Sequence, residues 1–306
     1  MMPILTIFTA PKPFKDPHIR VIQYNAIRSW VELGTEVAVG LIGEEEGLAE
    51  AASDLGVGYY PEVKRNVQGT PLISSIFELG RNINDSPLLA YVNADIILLP
   101  DFLEAARLAG SQEKRFLLVG QRWDLDVPNL LDFSAGWQER LLEQCKKTGR
   151  LHSRGGSDYF IYPRAVFRQI PDFAVGRAGW DNWMFYQARK ENWKTIDATD
   201  AIQIIHQDHD YAHLPQGQSH YRLPETSENV RLAGGPRTIF TLLDSNYLLR
   251  DRKIRRYPLD WKKLWREIEI FPLIKLKSIR LGQLFYGITH PRRAWVEFRS
   301  SHKKKA

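Results

Sequence analysis

The sequence predicts an α/β protein: a mainly parallel central sheet flanked by helices, with a C-terminal helical appendage. Three observations predict it. Short apolar runs alternate with amphipathic helical patterns through about residue 205, as expected where each strand is followed by a crossover helix. The 306 residues, 43% of them hydrophobic and 25% charged, can build one large core, which sets aside disordered and fibrous classes. Beyond residue 236 the pattern turns to basic helices.

Taken in order, apolar runs at 4–9, 36–42, 57–60, 88–93, 115–121, 159–162 and 194–198 read as strands. Between the first two, Ile19, Ile22, Ala26 and Trp30 recur at spacings of three and four, which makes 18–33 an amphipathic helix. The stretches 48–55 and 71–83 read the same way, and 101–109 follows Pro100, a residue suited to the first position of a helix. A glycine-containing turn leads into a helix at 179–192. Residues 217–236 are polar and rich in breakers, so they read as loop. Two helices, 259–270 and 273–286, are expected on either side of Pro272, and 300–306 reads as a frayed end.

Charge is unevenly placed. Residues 250–306 hold 17 Lys/Arg against 5 Asp/Glu, a net of +12, which leaves the rest of the chain at −6. An acidic body argues against a protein built around nucleic acid, although a basic tail suits a polyanion, an anionic membrane or plain solvation. Cys145 stands alone, so neither an intramolecular disulfide nor a cysteine zinc cluster can form, which fits a reducing compartment. The N-terminus lacks a basic leader and meets Pro11 and Pro13 early, so it reads as a buried first strand. No run approaches ~18 consecutive apolar residues, and no membrane-spanning helix is expected. These features together predict a cytoplasmic protein, with peripheral attachment to the inner membrane face as a role for the tail.

Four stretches can carry chemistry. In Ala90-Tyr-Val-Asn-Ala-Asp-Ile-Ile-Leu-Leu99 an apolar strand ends in Asn93 and Asp95, which alternation sends to one side. Polar residues at a strand's carboxyl end lie where open α/β sheets bind ligands, and a carboxylate there can hold Mg²⁺ or Mn²⁺. The same residues suit a turn in which both bond local backbone. In Gly176-Arg-Ala-Gly-Trp-Asp-Asn-Trp-Met184, Trp180 and Asp181 open a helix whose N-terminus should hold the carboxylate ionised at low pKa. Asp181 is there either a general base or an N-cap. Trp180 and Trp183 offer apolar faces, and Arg177 either a phosphate contact or a solvated charge. In Gly155-Gly-Ser-Asp158, Ser157 and Asp158 are candidates for hydroxyl recognition, or the glycines simply mark a strand entry. Finally, His206, His209 and His213 follow an apolar run at spacings of three and four; imidazoles bind metals well. The His-Glu-x-x-His pattern of zinc hydrolases is absent, as are G-x-G-x-x-G and the Walker A pattern.

The strand–Asn-Ala-Asp–strand arrangement resembles the Asp-x-Asp motif of GT-A glycosyltransferases, with Asn93 in place of the usual first aspartate. Over about residues 3–213, the first-strand loop, Asn-Ala-Asp, Gly-Gly-Ser-Asp, Gly-Trp-Asp and the histidine cluster follow the order found in such enzymes. The resemblance implies a GT-A catalytic domain over 1–235 and a basic, largely helical extension over 236–306. It implies a nucleotide-sugar donor and a divalent metal (Mn²⁺ or Mg²⁺) held by Asp95 with His206 or His209. Thr9, Ala10, Pro11 and Lys12 would lie under the nucleotide, Asn93 at ribose or sugar, and Asp181 would deprotonate the acceptor hydroxyl, giving inversion. The acceptor class is a glycan or a lipid-linked sugar, as in polysaccharide biosynthesis. Tail helices bearing Trp261, Trp265, Phe271, Phe285 and Tyr286 either rest on an anionic bilayer or pack on the catalytic domain. A sugar-nucleotide nucleotidyltransferase would share the fold type, but it wants a glycine-rich first loop that Thr9-Ala-Pro-Lys-Pro13 does not supply. A non-catalytic module binding nucleic acid through its tail is the third reading.

Overall fold

A computed structural model describes residues 2–209 and 223–303. His213, and the part of the expected loop before residue 223, lie outside the described residues. The large sheet has nine strands: β1 (Leu5–Thr9), β2 (Val37–Ile42), β3 (Gly58–Tyr60), β4 (Leu88–Val92), β6 (Phe116–Val119), β9 (Tyr159–Pro163), β10 (Lys194–Asp197), β12 (Tyr247–Arg250) and β13 (Lys253–Arg256). Their spatial order is β13-β12-β10-β6-β9-β4-β1-β2-β3. Only β9 and the edge strand β13 run against their neighbours. All seven strands expected from the sequence are present, each within two residues of its expected ends, in the mainly parallel sheet that was expected.

Alternation along the buried strands feeds two cores. Leu5, Ala90, Leu118 and Ile161 face one side, where α1 (Pro17–Val31), α2 (Leu48–Leu55) and α4 (Pro100–Gln112) cover them. Phe8, Tyr91, Val119 and Phe160 face the other, beneath α3 (Ile73–Asn82) and α6 (Trp180–Lys190). Close approach on that side needs Gly80, because a Cβ there would sit 2.5 Å from the Phe8 ring. A second sheet orders β5 (Ile96–Ile97), β11 (Ile204–Gln207), β7 (Arg122–Leu125) and β8 (Arg150–Leu151), packed on α5 (Trp137–Thr148).

Three expectations are corrected. Part of the stretch read as loop is helix α7 (Pro224–Ala233), whose buried positions are Thr226, Asn229 and the small Ala233 and so gave no strong apolar stripe. Asn229 is buried there, and its side-chain amide clasps the backbone of Ala174 in both directions. Pro272 does not divide two helices: α8 (Trp261–Ile274) runs through it, and in the last turn the missing amide costs one bond. The next helix, α9 (Ile279–Thr289), starts after Lys277, which has φ +50°. Helix α10 (Pro291–Lys303) extends through part of the stretch read as frayed. Within the C-terminal segment, the hairpin β12–β13 completes the edge of the large sheet before the helices begin.

Candidate active site

The sheet's geometry creates a cleft. Chain connection runs outward from β1 to β2 on one side and crosses to β4 on the other, so β1 and β4 flank a topological switch point. The loops leaving both strands diverge there. Because β9 runs antiparallel beside β4, its N-terminal end meets the same edge. The result is a cleft of about 860 Å³ holding Ala10, Pro11 and Lys12 after β1, Asn93 and Asp95 after β4, and Ser157 and Asp158 before β9. Arg177, Trp180 and Asp181 at the start of α6, with His206 and His209, complete it.

Thr9 does not belong to this wall. As the last residue of a strand buried on both faces it is fully enclosed behind it. Trp183 is likewise packed away, against Phe173 at 5.4 Å. Trp180 reaches the cleft only along part of its ring, since Tyr91 meets it edge-on at 5.1 Å and Phe160 at 5.4 Å. The neighbouring loop is fixed by Gln23, whose amide accepts from the Lys12 amide (2.7 Å) and donates to its carbonyl (2.9 Å).

The second sheet assembles the imidazole–carboxylate cluster. Its register sets Ile96 beside His206 and His206 beside Asp124, which brings the chain next to Asp95 against β11. His206 Nε2 lies 3.7 Å and His209 Nε2 3.2 Å from Asp95 Oδ2, so two imidazoles converge on one carboxylate oxygen. Burial alone would raise the pKa of Asp95. The hydrogen bond from His209 and the charges of His206, His209 and Lys12 outweigh it and hold the carboxylate well below its usual range. Lys12 is itself pushed down by burial, with Asp95 opposing.

These residues suit a divalent cation. Asp95 Oδ1 is buried without a hydrogen-bond partner, an orphan that a cation would satisfy. Asp95, His206 and His209 each offer a ligand atom within 4.8 Å of the others. Asp124, His206 and Asp208 form an overlapping set, but Asp124 is already engaged: it accepts from Arg122 Nε (2.8 Å) and lies 2.8 Å from His152 Nδ1. Its other neighbour is His206 Nδ1, 3.1 Å away without hydrogen-bond alignment, which places the carboxylate behind the imidazole.

Asp158 accepts from Arg122 Nη1 (2.7 Å) and Asn93 Nδ2 (3.1 Å), so three cleft residues share one fixed network. Arg177 is not solvated: its Nε donates to Glu225 on α7 at 2.7 Å. Asp181 overturns one expectation. It is not the N-cap, which is Gly179 at φ +110°; its carboxylate accepts from the Gly179 amide at 3.2 Å. Nor is its pKa low. Burial exceeds the pull of the Asn182, Gly179 and Asp181 amides, Asp158 adds repulsion, and the value rises to about 6.

Several residues in the cleft or supporting it went unread in the sequence. Arg122 and Asp124 follow the apolar run of β6 as Asn93 and Asp95 follow β4, so the same strand-end rule would have found them. Gln23, Glu225 and Asn229 act by reaching across from other elements, and no local pattern marks them.

The fold and cleft define an α/β protein with a carboxylate–imidazole centre at the switch point of its sheet. No protein-family model and no curated protein matches the sequence. Among solved structures, similar ones are nucleotide-sugar transferases. Glucosyl-3-phosphoglycerate synthase of Mycobacterium tuberculosis is 15% identical at a TM-score of 0.47, over 85% of this chain and 88% of that one. The mannosyltransferase PcManGT of Pyrobaculum calidifontis, solved with GDP-Man and Mn²⁺, is 10% identical at a TM-score of 0.43, over 69% of this chain and 59% of that one.

Proposed function

We propose that the protein transfers a glycosyl group from a nucleoside diphosphate sugar to an acceptor hydroxyl. The observation that carries this reading is the convergence of His206 and His209 on Asp95, in a cleft that also holds Lys12 and a carboxylate of raised pKa, Asp181. The order of motifs that resembles GT-A enzymes supports it. Asp95, His206 and His209 would hold Mn²⁺ or Mg²⁺, and two nitrogen donors favour Mn²⁺. Such an ion supplies positive charge for a diphosphate leaving group. Lys12 contributes a further positive charge on the same wall.

In this reading Ala10 and Pro11 line the nucleotide's side of the cleft, while Asn93, Ser157 and Asp158 meet sugar hydroxyls. Asp181 accepts the acceptor's hydroxyl proton as that oxygen bonds to the anomeric carbon. The bond from that carbon to the diphosphate oxygen breaks, and the nucleoside diphosphate departs with the electron pair, giving inversion. A carboxylate of pKa near 6 is a stronger base than an unperturbed one and is still ionised at neutral pH. Residues 1–235 carry every proposed site residue, and the acceptor is a glycan or a lipid-linked sugar.

The test is thermal unfolding of the full chain with Mn²⁺ and a panel of UDP-, GDP-, CMP- and dTDP-sugars, repeated for Asp95→Ala. The expected result is stabilisation by one nucleotide class that requires metal and is lost in the variant. Absence of a response to every nucleotide, with metal present and the protein folded, overturns the reading.

A further inference from the structure

Helix α8 presents a second apolar stripe to solvent. A surface helix ordinarily turns its apolar stripe to the core and its charges to water. Here Trp261, Leu264, Trp265, Ile268 and Phe271, at the spacing of one helical face, point to solvent; Trp261 is 74% and Phe271 51% exposed. The inward face packs Ile270, Leu273 and Ile274 into the core but also carries charge. Arg266 Nε donates to the buried Asp244 at 2.7 Å, and Glu267 receives Nη2 of the buried Arg189 at 2.6 Å. Those ion pairs and the buried Ile270, Leu273 and Ile274 together fix the rotation of the helix, so the outward stripe is a built feature rather than a loosely packed one.

The same character continues through the helices that follow. Leu281, Leu284 and Ile288 of α9 and Trp295 and Val296 of α10 are exposed. A groove of about 310 Å³ between α8 and α9, lined by Ile268, Phe271, Pro272 and Phe285 with Glu267, joins the first two faces. Tyr286, by contrast, packs inward under the Arg237 guanidinium, 3.5 Å from its ring centroid. Among the described residues no helix is long and apolar enough to cross a membrane.

We infer that the outward faces of α8, α9 and α10 form a docking surface for an anionic lipid bilayer. Charge selects this occupant. Residues 250–306 carry a net +12 on a chain whose remainder is −6, and Arg280, Arg292 and Arg293 are exposed beside the apolar residues. Tryptophan, leucine and isoleucine ringed by Lys and Arg is the composition of helices lying at a bilayer surface, where apolar side chains enter and cations meet lipid phosphates. A second copy meeting the same face two-fold would bring two such basic segments together, which is unfavourable. The surface is joined to the cleft, because α8 is ion-paired to α6, the helix that begins at Trp180 and Asp181. A docked molecule would thus hold its cleft at a fixed attitude to the membrane.

The test is flotation of the full chain with phosphatidylcholine vesicles, with and without phosphatidylglycerol. Neither donor nor metal is needed, so failure here leaves the transferase reading standing, and failure of that reading leaves this one. Binding to the anionic vesicles, weakened by salt, is expected. A Trp261→Ser/Trp265→Ser/Phe271→Ser variant should lose at least tenfold in affinity with an unchanged unfolding midpoint, since these side chains already face solvent. Replacing Arg292 and Arg293 by Gln should cost about fivefold per charge. No binding by the native chain, or undiminished binding by the triple variant, overturns the inference. So does a dimer in solution that the triple variant disperses while vesicles remain unbound.

Discussion

At Asp181 two effects of opposite sign meet. A helix N-terminus favours an ionised carboxylate by about 0.3–1 kcal/mol, whereas burial disfavours it, and here burial prevails. The folded pKa near 6 lies above the ordinary aspartate value of 3.8, so the group costs stability wherever the unfolded chain would be ionised. The cost is complete above about pH 6 and vanishes below about pH 4, where both states are protonated. Asp181→Asn should therefore raise the unfolding temperature at about pH 8, by a stabilisation of up to about 3 kcal/mol, and show no gain at about pH 3.5. The same variant should lose most sugar transfer, roughly 10²–10⁴-fold. A variant that is destabilised at the higher pH would contradict the burial argument. The sequence located Asp181 but not its ionisation, because a pKa depends on what packs over the group. Thr9 fails for the same reason: its place at a strand end is legible, but whether it faces the cleft or lies behind it is not.

Elements decide which of these residues meet. Seven of the nine strands of the large sheet were legible as short, mainly apolar runs, and α1 and α3 because their apolar residues repeat with helical period; β12 and the basic β13 (Lys-Ile-Arg-Arg) were not. The small sheet was not. Its strands are two to four residues long, and β7 reads Arg-Trp-Asp-Leu, too short and too polar to announce itself. Yet β7 supplies Asp124, whose Oδ2 lies 2.8 Å from His152 Nδ1 and whose Oδ1 backs His206. A carboxylate behind a metal-binding imidazole typically changes metal affinity by 10–100-fold. Asp124→Asn should accordingly raise the Mn²⁺ concentration needed for nucleotide-dependent stabilisation by about that factor. With metal saturating, transfer should return towards the native rate. If it does not return, Asp124 acts on the substrate itself. Helix α7 was read as loop because two of its three buried positions are polar, and only the folded chain shows Asn229 holding Ala174 and Glu225 holding Arg177.

Across the whole molecule, the acidic body and basic tail are coupled by a few buried ions. Arg189, only 6% exposed near the end of α6, donates to the Asp244 carbonyl and to both oxygens of Glu267 on α8. Lys263 and Arg266 extend the network to Glu267 and Asp244. Burying ions costs solvation that their attraction only roughly returns, so such a pair contributes little net stability; breaking it leaves a charge stranded in the interior. Glu267→Ala should therefore destabilise the protein by about 3 kcal/mol in urea unfolding. Arg189→Met combined with Glu267→Leu removes both charges while keeping volume, and should recover most of that loss. The two variants should nonetheless part in behaviour at vesicles. Without the Arg189–Glu267 pair α8 keeps Arg266–Asp244 as its remaining ion-pair anchor, so the double variant is expected to stay folded while its rotation loosens and bilayer affinity falls. Full vesicle binding by a stable double variant would mean that Arg266–Asp244 and the apolar packing of Ile270, Leu273 and Ile274 suffice to set the outward face.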